Sequence, residues 1–195
     1  MIQARDFLDS GKLGTIYTVR AFYGNGTAEN IRKSVWRDSQ NAVLVDLLPH
    51  LIDLTRFFLG PLSAEQIHSA TNNFENVGKD FAVFSGMFGK IQCNLIVSYL
   101  SWKNSFEFEI VGSKGMLRIG GLEKWQDVEL DFFERQFPPG SPRKYDLRIT
   151  GNESSLLRQW KEFKNDVDHN VQTNFSGDIE ISRILGEATN SNTLF

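Results

Sequence analysis

The chain is poor in the features that would assign it quickly. It has a single cysteine, Cys93, so neither an internal disulfide nor a cysteine-rich zinc site can be assembled from it. Charged residues break every apolar run well short of the ~20 residues a bilayer span needs. Met1 to Ser10 (MIQARDFLDS) lacks the basic-then-apolar order of a signal peptide, so a soluble, cytoplasmic protein without a membrane partner is expected. There is no excess of positive charge either: 21 Lys and Arg stand against 24 Asp and Glu, a formal net charge of −3. Binding nucleic acid requires a cationic surface that releases counterions, so no nucleic-acid partner is expected. No internal repeat or low-complexity segment is visible, and five prolines in 195 residues do not make a linker.

What is present is core-forming material: 41% apolar residues, 12% aromatics and sixteen phenylalanines, enough to bury a sizeable interior. Cys93, inside the strand-like run IQCNLIVSYL, reads as part of it, a buried thiol. The chain opens as the last turns of a helix over Ile2 to Leu8, stopped by Ser10-Gly11-Lys12, and passes into the β-rich run Gly14 to Tyr23. The most apolar helical stretch is Val43 to Leu59, closed by Gly60-Pro61, a pair that cannot continue a helix. From Ala64 to Thr150 the apolar residues recur at period two, as in SFEFEIVG and GMLRIGG, which predicts about seven strands. Short Asn, Gly and Pro turns between them favour antiparallel pairing over parallel pairing with crossover helices. Helical spacing returns over Glu153 to His169, with a stripe of Leu156, Leu157, Trp160, Phe163 and Val167, and over Asp178 to Asn190. The layout is α+β, with a large, mostly antiparallel open sheet and helices packed on one face.

Chemistry-bearing residues concentrate on the Val43 to Leu59 helix. Asp46, His50 and Asp53 fall at i, i+4 and i+7, on one side of a rod that is otherwise nearly all apolar. If Asp46 is the N-cap, Pro49 occupies the third helical position, where its missing N–H costs no intrahelical bond. A neutral imidazole there suits a general base that removes an alcohol proton, with an aspartate beside it to orient the ring or bind a hydroxyl. Spacing alone favours a capping aspartate and a histidine hydrogen-bonded in the core over a catalytic pair. A metal site at Asp46, His50 and Asp53, as in a hydrolase, would lack the further donors such sites require, and no metal is expected. His68 and His169 stand apart and read as structural or solvent-facing. In the loop before this helix, Trp36-Arg37 sets a guanidinium beside an indole, a pairing suited to a polyhydroxylated or anionic small ligand or, equally, to packing on a carboxylate of the same protein. Gly24-Asn25-Gly26 and the Gly112 to Gly115 cluster read as turns, since neither forms the GxGxxG that a dinucleotide phosphate requires.

Four segments together carry a resemblance. SGKLGTIYTVRAFY, SVWR, VLVDLLPHLIDLTRFFLG and FEFEIVGSKGMLRIGG resemble, in order, successive parts of the C-terminal domain of the Gfo/Idh/MocA family, the glucose-fructose oxidoreductase and inositol dehydrogenase-like oxidoreductases. The likeness departs from the family at Gln40-Asn41-Ala42, where a glycine run is usual, and at Leu48, where a small residue is usual. The resemblance implies a sheet like that of the dihydrodipicolinate reductase and glyceraldehyde-3-phosphate dehydrogenase C-terminal domains. Residues 1–195 would then form one substrate-binding and oligomerisation domain, with residues 1–10 ending a helix that links to an absent N-terminal nucleotide-binding domain. It implies His50 and Asp46 as catalytic residues, with Trp36, Arg37 and Asp53 binding a small sugar or polyol. NAD or NADP would serve the intact enzyme, with none bound to this chain alone and no turnover by it. A homo-oligomer through the open sheet face is implied as well, and a non-catalytic oligomerisation or ligand-binding module is the alternative.

Overall fold

The computed structural model describes residues 1–61, 63–122, 127–147, 155–172 and 174–190. Helix α1 (Ile2–Asp9) leads into strand β1 (Ile16–Gly24), the short helix α2 (Ala28–Arg32) and the long helix α3 (Ala42–Leu59). Seven strands follow: β2 (Ala64–Asn72), β3 (Phe81–Phe88), β4 (Ile91–Ser98), β5 (Ser105–Gly112), β6 (Gly115–Gly120), β7 (Glu129–Glu134) and β8 (Arg143–Asp146). Helices α4 (Ser155–Asp168) and α5 (Ser176–Asn190) complete the described chain. The strands form one eight-stranded sheet in the order β2-β3-β4-β1-β5-β6-β7-β8. Every neighbouring pair is antiparallel except β1 and β4, which run parallel. That exception follows from the route of the chain. After β1 it crosses the sheet through α2 and α3 to the far edge, and the β2-β3-β4 meander brings it back beside β1.

The period-two pattern sorts directly onto the two faces, as in β3 and β5, where buried and part-exposed residues alternate without a break. Val19, Ala21, Phe84, Leu95, Val97, Phe108, Ile110, Leu117 and Ile119 point into the core. There they meet Leu44, Leu47, Leu48, Leu51, Ile52 and Phe58 of α3, and Phe58 packs on Phe108 with ring centroids 5.3 Å apart. Helix α5 adds Ile184 and Ala188 beside β2, and α1 lays Phe7 on Phe132. Each fully buried Leu, Ile or Phe side chain contributes roughly 1.5–3 kcal/mol of transfer free energy, so α3 is anchored mainly by its apolar side.

On the opposite face the register sets one polar residue of each strand in a single cross-strand row: His68, Ser85, Asn94, Arg20, Glu109, Arg118, Asp131 and Asp146. Four of its five charged members are paired, Arg20 with Glu109 at 2.8 Å and Arg118 with Asp131 at 3.2 Å, and Asp131 also meets Lys144 at 3.0 Å. Half-buried Phe22, Val83 and Ile96 flank one half of the row, and Val111, Met116 and Phe133 flank the other.

Two expectations need correction. Asp46 is not the N-cap of α3: the helix begins a turn earlier, at Ala42, and Pro49 lies inside it. The extra turn is held by a partner from elsewhere in the fold: the Val43 N–H donates to the Lys79 carbonyl between β2 and β3. Pro49 cannot donate to the Val45 carbonyl, but Val45 is solvent-exposed, so water can take the vacant acceptor. The apolar stripe on α4, in turn, is not buried in the core: Leu156, Trp160, Phe163 and Val167 are all exposed. The first residues of the helix expected over Glu153 to His169, like the end of the strand region at Thr150, lie outside the described residues. Cys93 is buried, and burial pushes its thiol up to about 12. Among the described residues no helix is long and apolar enough to cross a membrane.

Candidate functional site

Asp46, His50 and Asp53 lie on the solvent side of α3 and are all exposed, while Leu47, Leu48, Leu51 and Ile52 between them are buried. This is the outcome the i, i+4, i+7 spacing requires of a helix lying on a sheet. It also separates the histidine from the core: the His50 ring is exposed, and its ring contact is with Tyr23, edge on at 5.9 Å.

Asp46 is the best-held polar side chain of the group. Its Oδ2 accepts from the Tyr99 hydroxyl at 2.9 Å and from Arg37 Nη2 at 3.2 Å. Arg37 in turn lies over the Trp36 ring, 5.8 Å from the centroid, and Trp36 is 81% exposed. Of the five predicted residues the structure therefore links Trp36, Arg37 and Asp46 into one chain of contacts and sets His50 one turn further along. Asp53 is not joined to them: among the described residues no hydrogen bond or ion pair connects it to Asp46 or His50.

Two members of the cluster escaped the sequence reading, Tyr23 and Tyr99. Tyr23 continues the inward series Val19, Ala21 of β1, and Tyr99 continues Cys93, Leu95, Val97 of β4. Because β1 and β4 run parallel side by side, both tyrosines emerge at the same end of the sheet, under the first half of α3. Burial raises the Tyr23 phenol above its ordinary value, and the charge of Asp46 adds to the shift. The Tyr99 phenol is raised further, first by burial and then by the charge and hydrogen bond of Asp46, with Arg37 opposing. Both stay protonated donors.

The site is an open shelf. Cavities of about 610 and 410 Å³ lie elsewhere, one between α1 and the β7–β8 edge, the other along Phe106, Arg118 and Glu129. Neither is lined by Asp46, His50 or Arg37. Among the described residues no group of three His, Cys, Asp or Glu side chains converges to hold a metal ion. What the shelf offers is a tethered carboxylate, an exposed imidazole one turn away and a stacked Trp-Arg pair at its rim. That set can accept hydrogen bonds from, and take a proton off, a hydroxyl group.

The glycine turns do not supply a dinucleotide cradle. Gly24-Asn25-Gly26 follows β1 and precedes only the five-residue α2. The space over these glycines belongs to the protein's own loop: a Cβ at Gly24 would sit 2.1 Å from Ser101 Oγ, and one at Gly26 2.6 Å from the Ser101 carbonyl oxygen. Gly112 and Gly115 likewise face the Leu13 and Phe133 backbones.

The family model described as GFO/IDH/MocA C-terminal domain matches residues 1–118. No curated protein matches the chain. Among solved structures, a Desulfitobacterium hafniense protein described as an NADPH-dependent oxidoreductase superposes with a TM-score of 0.82 at 16% identity, over 98% of this chain and 58% of its own. Levoglucosan dehydrogenase in complex with NADH and levoglucosan gives 0.74 at 16% identity, over 96% and 59%. UDP-N-acetylglucosamine 3-dehydrogenase GnnA of Acidithiobacillus ferrooxidans gives 0.75 at 14% identity, over 97% and 57%. At these identities the likeness is one of fold, and the chain spans less than two thirds of the length of each.

Proposed function

The chain belongs to the GFO/IDH/MocA C-terminal domain family, and from that premise we propose that it is the substrate-binding domain of an NAD(P)-dependent oxidoreductase acting on a CH–OH group of a sugar or polyol. The observation that carries the reading is the Asp46 and His50 shelf: the carboxylate is held by Tyr99 and Arg37, and the imidazole is free of the core. In this role His50 accepts the proton of the reacting hydroxyl, Asp46 fixes that hydroxyl in place, and Trp36, Arg37 and Asp53 contact the rest of the ligand. The solved relatives with NADH, levoglucosan and L-sorbose bound support a small carbohydrate as the ligand class.

A nicotinamide cofactor would supply the electron acceptor of such a reaction, but the described residues do not fit it, because their glycine turns are filled by Ser101, Leu13 and Phe133. NAD or NADP is therefore assigned to a companion nucleotide-binding domain, and the chain alone is not expected to turn over. The deciding experiment is steady-state kinetics of the full-length protein with NAD or NADP and a panel of sugars and polyols. His50→Ala is expected to lower kcat by roughly 10²–10⁴-fold, the usual range for a lost general base. An undiminished kcat would remove His50 from the mechanism.

A second reading, a self-associating ligand-binding module without catalysis, is favoured by the open sheet face. That face shows two half-buried apolar patches divided by a charge-paired row, and no described helix covers it. Light scattering separates this reading from a strict monomer, and Ile96→Glu is expected to shift any oligomer toward monomer.

A further inference from the structure

Among the described residues Tyr99 is the largest fully buried side chain, at 1% exposure. Its backbone is tied on both sides, the N–H to the Asp80 carbonyl at 2.9 Å and the carbonyl to the Ala28 N–H at 3.3 Å. Its hydroxyl lies 2.9 Å from Asp46 Oδ2 and 3.0 Å from the carbonyl oxygen of Ala42, one helical turn before Asp46. A phenol has one proton to give, and a carboxylate is the stronger acceptor. Packing alone would be met by phenylalanine, and satisfying the hydroxyl alone would be met by the Ala42 carbonyl. The placement does more, because it ties an otherwise solvent-exposed carboxylate to the rigid end of a central strand.

We propose that Tyr99 is a positioning residue: its buried hydroxyl, together with Arg37 on the same oxygen, fixes the rotamer of the Asp46 carboxylate and leaves Asp46 Oδ1 to accept a hydroxyl of the ligand. The inference rests on the reading of Asp46 as a substrate-binding side chain. Both described bonds to the carboxylate fall on Oδ2, so the second oxygen keeps its acceptor capacity. Arg37 offsets the carboxylate charge from the solvent side, while Tyr99 supplies a donor that water cannot displace from below. The raised phenol supports this division of labour, since Tyr99 remains a donor throughout the neutral range.

The test is a double-mutant cycle in the full-length enzyme with Tyr99→Phe, Asp46→Asn and the pair. Tyr99→Phe keeps the ring and its packing, so the thermal midpoint should move little, whereas kcat/KM for the polyol should fall roughly 10-fold, the effect of one charge-assisted hydrogen bond. In the Asp46→Asn background the same change should have an effect of less than about two-fold, because Tyr99 acts through Asp46. Effects that multiply would overturn the proposal. A second readout needs no turnover: with ¹³Cζ-labelled tyrosine, the Tyr99 resonance should shift on Asp46→Asn, and a resonance blind to that change would also overturn it. If the wild-type protein oxidises no sugar or polyol, the functional reading and the ligand's part in this inference fall, while the resonance still decides whether Tyr99 holds Asp46.

Discussion

Asp80 is a fully buried carboxylate that makes no ion pair among the described residues. Its charge is met by backbone instead: Oδ2 accepts the N–H groups of Glu75 at 2.7 Å, Asn76 at 3.0 Å and Phe74 at 3.1 Å, and Oδ1 accepts Phe74 again at 2.9 Å. Removing it with Asp80→Ala strands the buried Asn76 N–H, whereas the exposed Phe74 and Glu75 can turn to water. A hydrogen bond to a charged group contributes about 1.5–3 kcal/mol. One full loss and two partial ones therefore predict a destabilisation of about 3 kcal/mol. Asp80→Asn keeps one carbonyl oxygen for most of these donors but loses the charge and turns an NH₂ toward Phe74, so about half that loss is expected. Urea unfolding with linear extrapolation reads both values. The same substitutions should speed amide exchange at residues 74–76 and at Val43, whose N–H depends on the Lys79 carbonyl of this loop. A loss below about 1 kcal/mol for Asp80→Ala would refute the reasoning, as would Asn being more damaging than Ala.

Cys93 predicts a pH dependence. Its folded-state value is raised to about 12, against roughly 8.5 for an unfolded thiol. The unfolded chain loses the proton first, so the contribution is complete below about pH 8.5 and is lost as pH rises toward 12, by up to ~1.4 kcal/mol per unit. Urea midpoints measured from pH 8 to 11 should fall less steeply for Cys93→Ala than for the wild type, and parallel slopes would contradict the assignment. The turn before β1 supplies a steric test. Gly14 has φ +69°, and a Cβ there would lie 2.2 Å from Ser113 Oγ, while Gly11 has φ +70° with open space around it. Gly14→Ala should cost clearly more than the ~1 kcal/mol expected of Gly11→Ala, and equal melting temperatures would count against the close contact between this turn and the β5–β6 hairpin.

The fold was legible where a signal is local. Period-two alternation located the strands between Ala64 and Asp146, and Gly60-Pro61 marked the end of α3, which stops at Leu59. The apolar run placed the start of α3 to within one residue, Val43 against the observed Ala42, but its cap was not legible, because the Lys79 carbonyl that holds the first turn arrives from the β2–β3 loop far along the chain. The site divides in the same way. Helical spacing was enough to put Asp46 and His50 on one exposed side, and adjacency in sequence was enough to pair Trp36 with Arg37. Tyr23 and Tyr99 are 76 positions apart, and only the parallel pairing of β1 with β4 brings them to the same end of the sheet. The stripe on α4 was equally visible as a pattern, but a pattern identifies an apolar side without saying what it packs against.

Pro49 stands between Asp46 and His50, and its ring nitrogen leaves the Val45 carbonyl without an intrahelical donor. The rod that carries both side chains is thus clamped at its first turn, capped at Gly60, and missing one rung midway between the two groups. A missing rung is where a helix bends most readily, so any flexing of α3 is expected between the turn that carries Asp46 and the turn that carries His50, while the buried leucines hold its other side on the sheet.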